Sequence, residues 1–206
     1  MRPYTERRRR NAVAKQLELS PRLRLLAQWV PQGARLADVG TDHAYLPVWL
    51  DIQDRVSSAI ASDLRPGPLA RARETGRIHG ARRVEYRLCD GLAAIQPEET
   101  DTIENAGKGG ENIAAILAAA PWTKDGAHTL LLQPMTRAEE LRAFLSGHGY
   151  RVLREALVED RGTIYPVLSV TAGKEELSLG QLWGGARLQR DPLGDRYLIQ
   201  RIIRLQ

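Results

Sequence analysis

One stretch limits what this chain can fold into more than any other: Leu36-Ala37-Asp38-Val39-Gly40-Thr41-Asp42-His43-Ala44-Tyr45-Leu46-Pro47. Its first four residues read as a buried parallel strand. An acid and a glycine close the strand, and a short polar turn leads into a helix start. Gly40 lets the backbone turn tightly and approach a ligand closely. A helix beginning just beyond it aims its free N–H groups at the same place. Doubly wound α/β folds hold nucleotide-like molecules with this unit, at the carboxyl ends of their strands.

The full dinucleotide fingerprint is absent, because the turn has one glycine and carries Asp42 instead. A carboxylate there repels pyrophosphate, which disfavours a nicotinamide dehydrogenase, and suits a molecule bearing positive charge. S-adenosyl-L-methionine has both an amine and a sulfonium. Asp63, with Leu64 after it, closes a second apolar strand. It lies about 20 residues beyond the glycine, the position from which an acid binds ribose hydroxyls.

The hydrophobic share of the 206 residues, 43%, is enough for a core. No apolar run is long enough to span a membrane, and the start Met-Arg-Pro-Tyr-Thr-Glu has neither the pattern of a secretory signal nor that of an anchor. Cys89 is the single cysteine, which excludes an internal disulfide and fits a reducing, cytoplasmic setting. No Cys/His cluster has zinc spacing, so no metal is expected. A monomer is the expected state. The formal charge of +5, carried mostly by arginine, suits an RNA partner. Arg7, Arg8, Arg9 and Arg10, with Arg22 near them in sequence, are the expected phosphate contacts.

Hydrophobic spacing predicts helix over 6–29, restarting at Ser20-Pro21. Strands are expected at 36–39, 56–64, 84–88, 101–106 and 129–133. Helices at 46–52, 69–79, 111–120 and 136–147 alternate with them. Strands 151–159 and 163–171 form a hairpin around Asp160-Arg161-Gly162. Alternation implies a mostly parallel sheet with helices on both faces. Residues 1–172 are expected to form one domain, with 1–30 as its basic helical N-terminal segment. Residues 173–206 are expected to form a short helical extension, with helices over 175–182 and 195–205.

In these blocks and their order, the chain resembles the bacterial tRNA (adenine-22-N1)-methyltransferase family. The blocks are Leu19-Ser20-Pro21-Arg22-Leu23, the Ala37–Pro47 string, Ala59–Asp63, Asp90-Gly91-Leu92, Asp101-Thr102-Ile103 with Ala106-Gly107, and Leu132-Gln133-Pro134, followed by Glu159-Asp160 and Tyr165. They cover roughly residues 17–170. The resemblance implies a Rossmann-like class I methyltransferase fold with a terminal antiparallel hairpin, S-adenosyl-L-methionine as cofactor, and methyl transfer to adenine N1 in tRNA. It places Asp38, Gly40, Thr41 and Asp42 at the methionine end of the cofactor. Asp63 and Leu64 fall at the ribose, and Asp90, Gly91 and Leu92 at the adenine. Ala106 and Gly107 are also placed at the cofactor, at the end of the fourth strand where the target base arrives. It also puts Asp42, His43 and Tyr45 in the reaction: Asp42 holds the exocyclic amine or takes its proton, His43 is the alternative base, and Tyr45 is the stacking surface. His43 is also open to capping the helix, and Tyr45 to plain packing.

The fourth strand departs from the family's apolar run into Ala-Gly-Met-Gly-Gly. Here it reads Ile103-Glu104-Asn105-Ala106-Gly107-Lys108-Gly109-Gly110. In a strand buried on both faces, Glu104 and Asn105 must find partners, face the site, or destabilise the strand. Three roles are open to Lys108: pairing with Glu104, binding RNA phosphate alongside Arg22, or repelling the sulfonium. A methyltransferase of another substrate and a non-catalytic relative that binds RNA or cofactor remain alternatives. Family members carry a pair of long C-terminal helices. Up to Gln206 there is room for a short one, so RNA binding is expected either to be weaker or to rely on the arginine-rich N-terminus.

Overall fold

The structure, a computed structural model, describes residues 17–203. The expected helix over 6–16 and the RNA contacts Arg7–Arg10 lie outside the described residues. Helix α1 starts only at Pro21 and runs Pro21–Trp29. Ser20 caps it through a hydrogen bond from the Leu23 N–H, and proline occupies the first turn, where a missing N–H costs nothing. Residues 17–20 are not helical.

Five strands and four helices follow, with only a short 3-10 turn at Pro97–Glu99 between the third and fourth strands: β1 (Ala34–Val39), α2 (Tyr45–Ile52), β2 (Val56–Asp63), α3 (Pro66–His79), β3 (Val84–Leu88), β4 (Thr102–Gly109), α4 (Gly110–Ala118), β5 (Thr129–Thr136) and α5 (Ala138–Gly147). The long pair β6 (Tyr150–Asp160) and β7 (Thr163–Ala172) closes the sheet, and α6 (Leu179–Gly184) and α7 (Gly194–Ile203) complete the chain. The sheet order is β3-β2-β1-β4-β5-β7-β6. The first five strands are parallel, while β7 runs antiparallel to both β5 and β6. The hairpin turn has Arg161 and Gly162 both at positive φ, the twist that matches paired strands.

The chain builds outward from β1 to β3, then returns to lay β4 on the other side of β1. That reversal leaves a crevice at the strand ends between β1 and β4, where this class of sheet binds ligands. Each sheet face has its own core. Leu26 of α1 and Leu46 and Leu50 of α2 cover Leu36 and Leu131 on one side. Ile113 and Leu117 of α4 and Leu141 and Leu145 of α5 cover Val39, Ile103 and Leu132 on the other. Because side chains alternate along a strand, Asp38 and Glu104 share the α1/α2 face, and Asn105 shares the α4/α5 face with Ile103.

Several boundaries differ from expectation. Strand β4 continues past Ala106 to Gly109 because Gly107, at φ 78°, takes up a register shift against β5 and lets pairing resume at Lys108–Pro134. Helix α6 begins at Leu179 rather than 175, since Ser178 and Gln181 form a reciprocal cap and the Glu175 carboxylate instead accepts from the Val152 N–H. The tail lies along the hairpin: Asp191 accepts from the Leu157 N–H, Gln200 exchanges two hydrogen bonds with Ile164, and Tyr197 is buried with Leu188. A fully buried ion pair, Arg142 with Glu155, ties α5 to β6. Arg142 also donates to the Leu182 carbonyl at the end of α6.

Candidate functional site

Gly40 turns the chain out of β1 at φ 81°, as its place in the motif predicted. The N–H groups of Gly40 and Thr41 both donate to the Ser62 carbonyl, 2.7 and 2.9 Å away, which locks this turn to the neighbouring strand. Ala44, also in the left-handed region, occupies the helix N-cap with no side-chain cap, so His43 does not cap α2.

Beside the turn lies a crevice of about 1010 Å³. Gly40 and Asp42 form one wall, Asp63 and Leu64 the end of β2, Asp90, Gly91 and Leu92 the loop after β3, and Ala106 and Gly107 the end of β4. Asp63 is buried, and its Oδ1 accepts from the Arg65 N–H at 2.8 Å. The β3 loop is held by the Cys89 N–H, which donates to the Asp63 carbonyl, and by the Cys89 sulfur, which accepts from the Ala94 N–H.

A second, smaller cavity of about 310 Å³ adjoins it. Asp38, Thr41, His43, Tyr45 and Glu104 line it, with Arg22 and Leu23 of α1. It shares Gly40, Asp42, Ala106 and Gly107 with the larger crevice. The His43 and Tyr45 rings stack 4.9 Å apart and 3° from parallel, and Tyr45 is 40% exposed, so this aromatic is not spent on core packing. Asp42 is exposed, paired with Arg71 from α3, and stands 3.4 Å from the His43 ring.

The floor of the second cavity holds two buried acids. Asp38 and Glu104 are direct partners across β1 and β4. Asp38 accepts from the Thr41 hydroxyl. Burial first, and then the Asp38 charge, push Glu104 well above the usual carboxylate range. Burial also raises Asp38, against the hydrogen bonds from Glu104 and Thr41. Both shifts favour the protonated carboxyl, Glu104 the more strongly, and the two acids share a hydrogen bond.

Nine of the residues expected at the cofactor line the larger crevice. Asp38 and Thr41 do not: alternation turns Asp38 to the other face, and Thr41, in the turn beyond β1, donates to it there, so both line the smaller cavity. Arg22 is engaged within the protein. Its guanidinium donates to Asp160 and Gln133, both at 2.7 Å, and lies 5.2 Å from the centre of the Tyr165 ring, fastening α1 to the hairpin. Lys108 folds back over Gly40 and donates to the Val39 carbonyl at 2.9 Å, so its ammonium stands at the crevice. Asn105, 1% exposed, has both amide atoms without a partner among the described residues. Sequence reasoning missed Arg71 as the partner of Asp42, and Asn112 and Ile116 of α4 as a crevice wall. Neither Arg71 nor the α4 residues belong to a sequence motif. Among the described residues there is no group of metal-ligating side chains, and no helix is long and apolar enough to cross a membrane.

Residues 19–168 match a family model described as a methyltransferase domain. The chain is 37% identical over 177 residues to the tRNA (adenine(22)-N(1))-methyltransferase of Bacillus subtilis, covering 82% of this chain and 74% of that protein. The crystal structure of the B. subtilis m1A22 tRNA methyltransferase TrmK superposes with a TM-score of 0.77 at 30% identity, over 92% of this chain and 97% of that one. A Streptococcus pneumoniae protein, described as a candidate tRNA (m1A22) methyltransferase and crystallised with S-adenosyl-L-methionine, superposes with a TM-score of 0.86 at 35% identity, over 91% and 90% of the two chains.

Proposed function

The chain belongs to the tRNA (adenine(22)-N(1))-methyltransferase family, and from that premise we propose how its two cavities divide the reaction. It is an enzyme that transfers a methyl group from S-adenosyl-L-methionine to N1 of an adenine in tRNA, position 22 being the one in the B. subtilis relative's name. The larger crevice takes the methyl donor and the smaller cavity the target adenine.

The residues of the larger crevice fit the donor. Asp63 closes β2 with one carboxylate oxygen engaged by its own loop and the other available to ribose hydroxyls. The loop from Asp90 to Leu92 offers an acid and an apolar contact for an adenine ring, and Gly40 leaves space at the turn. The donor supplies a methyl group on a sulfonium, whose positive charge passes to the acceptor ring on transfer. Catalysis is then mainly alignment, with carboxylates at the shared rim stabilising that charge. Asp42 is that carboxylate, steadied by Arg71. N1 lies on the Watson–Crick edge, so the base must leave its stack, and the exposed His43–Tyr45 pair is the surface that receives it. The docking segment for tRNA includes the basic N-terminal arginines.

One observation carries this division: two cavities of unequal size meet along Gly40, Asp42, Ala106 and Gly107, so a donor in one and a base in the other face each other across that rim. The test is incubation with unmodified tRNA and isotopically labelled donor, followed by nucleoside mapping. Label in 1-methyladenosine is expected. Label in another nucleoside, or none, overturns the reading.

A further inference from the structure

We propose that Glu104 determines which base the enzyme accepts: from the floor of the smaller cavity its carboxyl receives a hydrogen bond from the exocyclic amine of the adenine to be methylated. The proposal rests on the assignment of that cavity to the acceptor and deepens it.

The placement follows from the strands. Glu104 is the direct partner of Asp38, lines the smaller cavity and not the larger, and is only 2% exposed. Its Oε1 meets no donor among the described residues. Arg22 and Lys108 both bear on it electrostatically, yet neither donates to it: the first is engaged by Asp160 and Gln133, the second by the Val39 carbonyl. Two adjoining buried carboxyls do not both ionise. Burial and the Asp38 charge favour the protonated form of Glu104, whose hydrogen-bond partner is Asp38, itself held by the Thr41 hydroxyl. A neutral carboxyl has one O–H and one C=O. The O–H is taken by Asp38, which leaves the carbonyl oxygen as an acceptor with nothing to accept.

The chemistry of the missing donor is specific. Next to N1, adenine carries an amino group, so an acceptor there pairs with it while N1 stays free to react. Guanine and hypoxanthine carry an oxygen at the same position, which would face the Glu104 oxygen without a hydrogen between them. A buried polar group left unpaired by the wrong ligand is the strongest kind of discrimination a site can build. Position on a paired central strand, not a loop, gives the acceptor the rigidity that such reading needs.

The test uses one tRNA sequence in two versions, with adenosine or with purine riboside at the target position. Purine riboside keeps N1 and lacks the amine. The unaltered enzyme is expected to favour adenosine by about tenfold or more in kcat/KM and in RNA dissociation constant. Glu104→Leu should bring adenosine down to the purine riboside value, so that the ratio approaches one. Glu104→Gln should keep the ratio, because its amide N–H serves Asp38 and its C=O remains an acceptor. A ratio that survives Glu104→Leu, equal losses on both RNAs, or no preference in the unaltered enzyme each overturn the proposal. Failure of the unaltered enzyme to methylate adenosine tRNA would instead overturn the functional reading, and the two dissociation constants would still decide the role of Glu104.

Discussion

Replacing Asn105 by leucine should make this protein more stable, an unusual expectation for a buried residue. Asn105 sits in the middle of β4 opposite Leu132, on the face with Ile103, under the apolar sides of α4 and α5. Neither its amide nitrogen nor its oxygen has a partner among the described residues. Each such group costs about 1–3 kcal/mol of lost hydration. Leucine carries two methyl groups where asparagine carries the two polar atoms, so little repacking is required, although about 1 kcal/mol of overpacking is to be allowed for. The expected net gain is about 1–5 kcal/mol, which for a chain of this size is a rise in Tm of roughly 2–20 °C. Urea unfolding should show a higher midpoint at unchanged slope, since the area exposed on unfolding hardly changes. Equal or lower stability at the same slope would refute the reasoning and mean that an ordered water or a shifted neighbour satisfies the amide.

Three further outcomes follow from the structure. Arg142→Met should lose about 3–5 kcal/mol in urea unfolding by stranding the Glu155 carboxylate, and adding Glu155→Leu should restore most of it. Glu99 and Glu104, whose shifts are opposite, should act on stability with opposite signs, as read from unfolding midpoints across pH. Glu99, clasped by Arg87 and held at about 2, supports the fold above its unfolded value of 4.5 and loses that support as pH falls toward 2, so Glu99→Gln should flatten the acid limb. Glu104, raised by burial, weighs against the fold as pH rises above 4.5, where the unfolded chain ionises and the folded one does not, so Glu104→Gln should be the more stable protein at pH 7–8. Gly40→Ala should cost about 1–2 kcal/mol from its positive φ alone. A Cβ there would also lie 1.5 Å from the Lys108 Nζ, so the lysine must leave the Val39 carbonyl, and calorimetry should show weaker donor binding.

Much of the site was legible because it is local. A strand, a glycine and an acid adjacent in sequence stay adjacent in space, so Gly40, Asp42, Asp63 and Asp90 were found at the crevice without any knowledge of long-range packing. Asp38 and Thr41 belong to the same motif as Gly40 and Asp42 but line the smaller cavity. Which face a residue points to depends on strand parity relative to the helices above, and that is fixed by pairing. Arg22 was read as a phosphate contact from its charge, whereas the hairpin more than a hundred residues later supplies Asp160 and Tyr165 to hold it.

Hydrophobic alternation and turn chemistry in the sequence were thus sufficient to specify an α/β sheet with a closing hairpin, because these signals act between near neighbours. The charge state of the acid pair, the engagement of Lys108 at Val39 and the unpaired amide of Asn105 were decided only by the tertiary structure. Each depends on what stands across a strand or beneath a helix, and burial converts that neighbour's identity into a proton held, a charge neutralised or a polar group left without a partner.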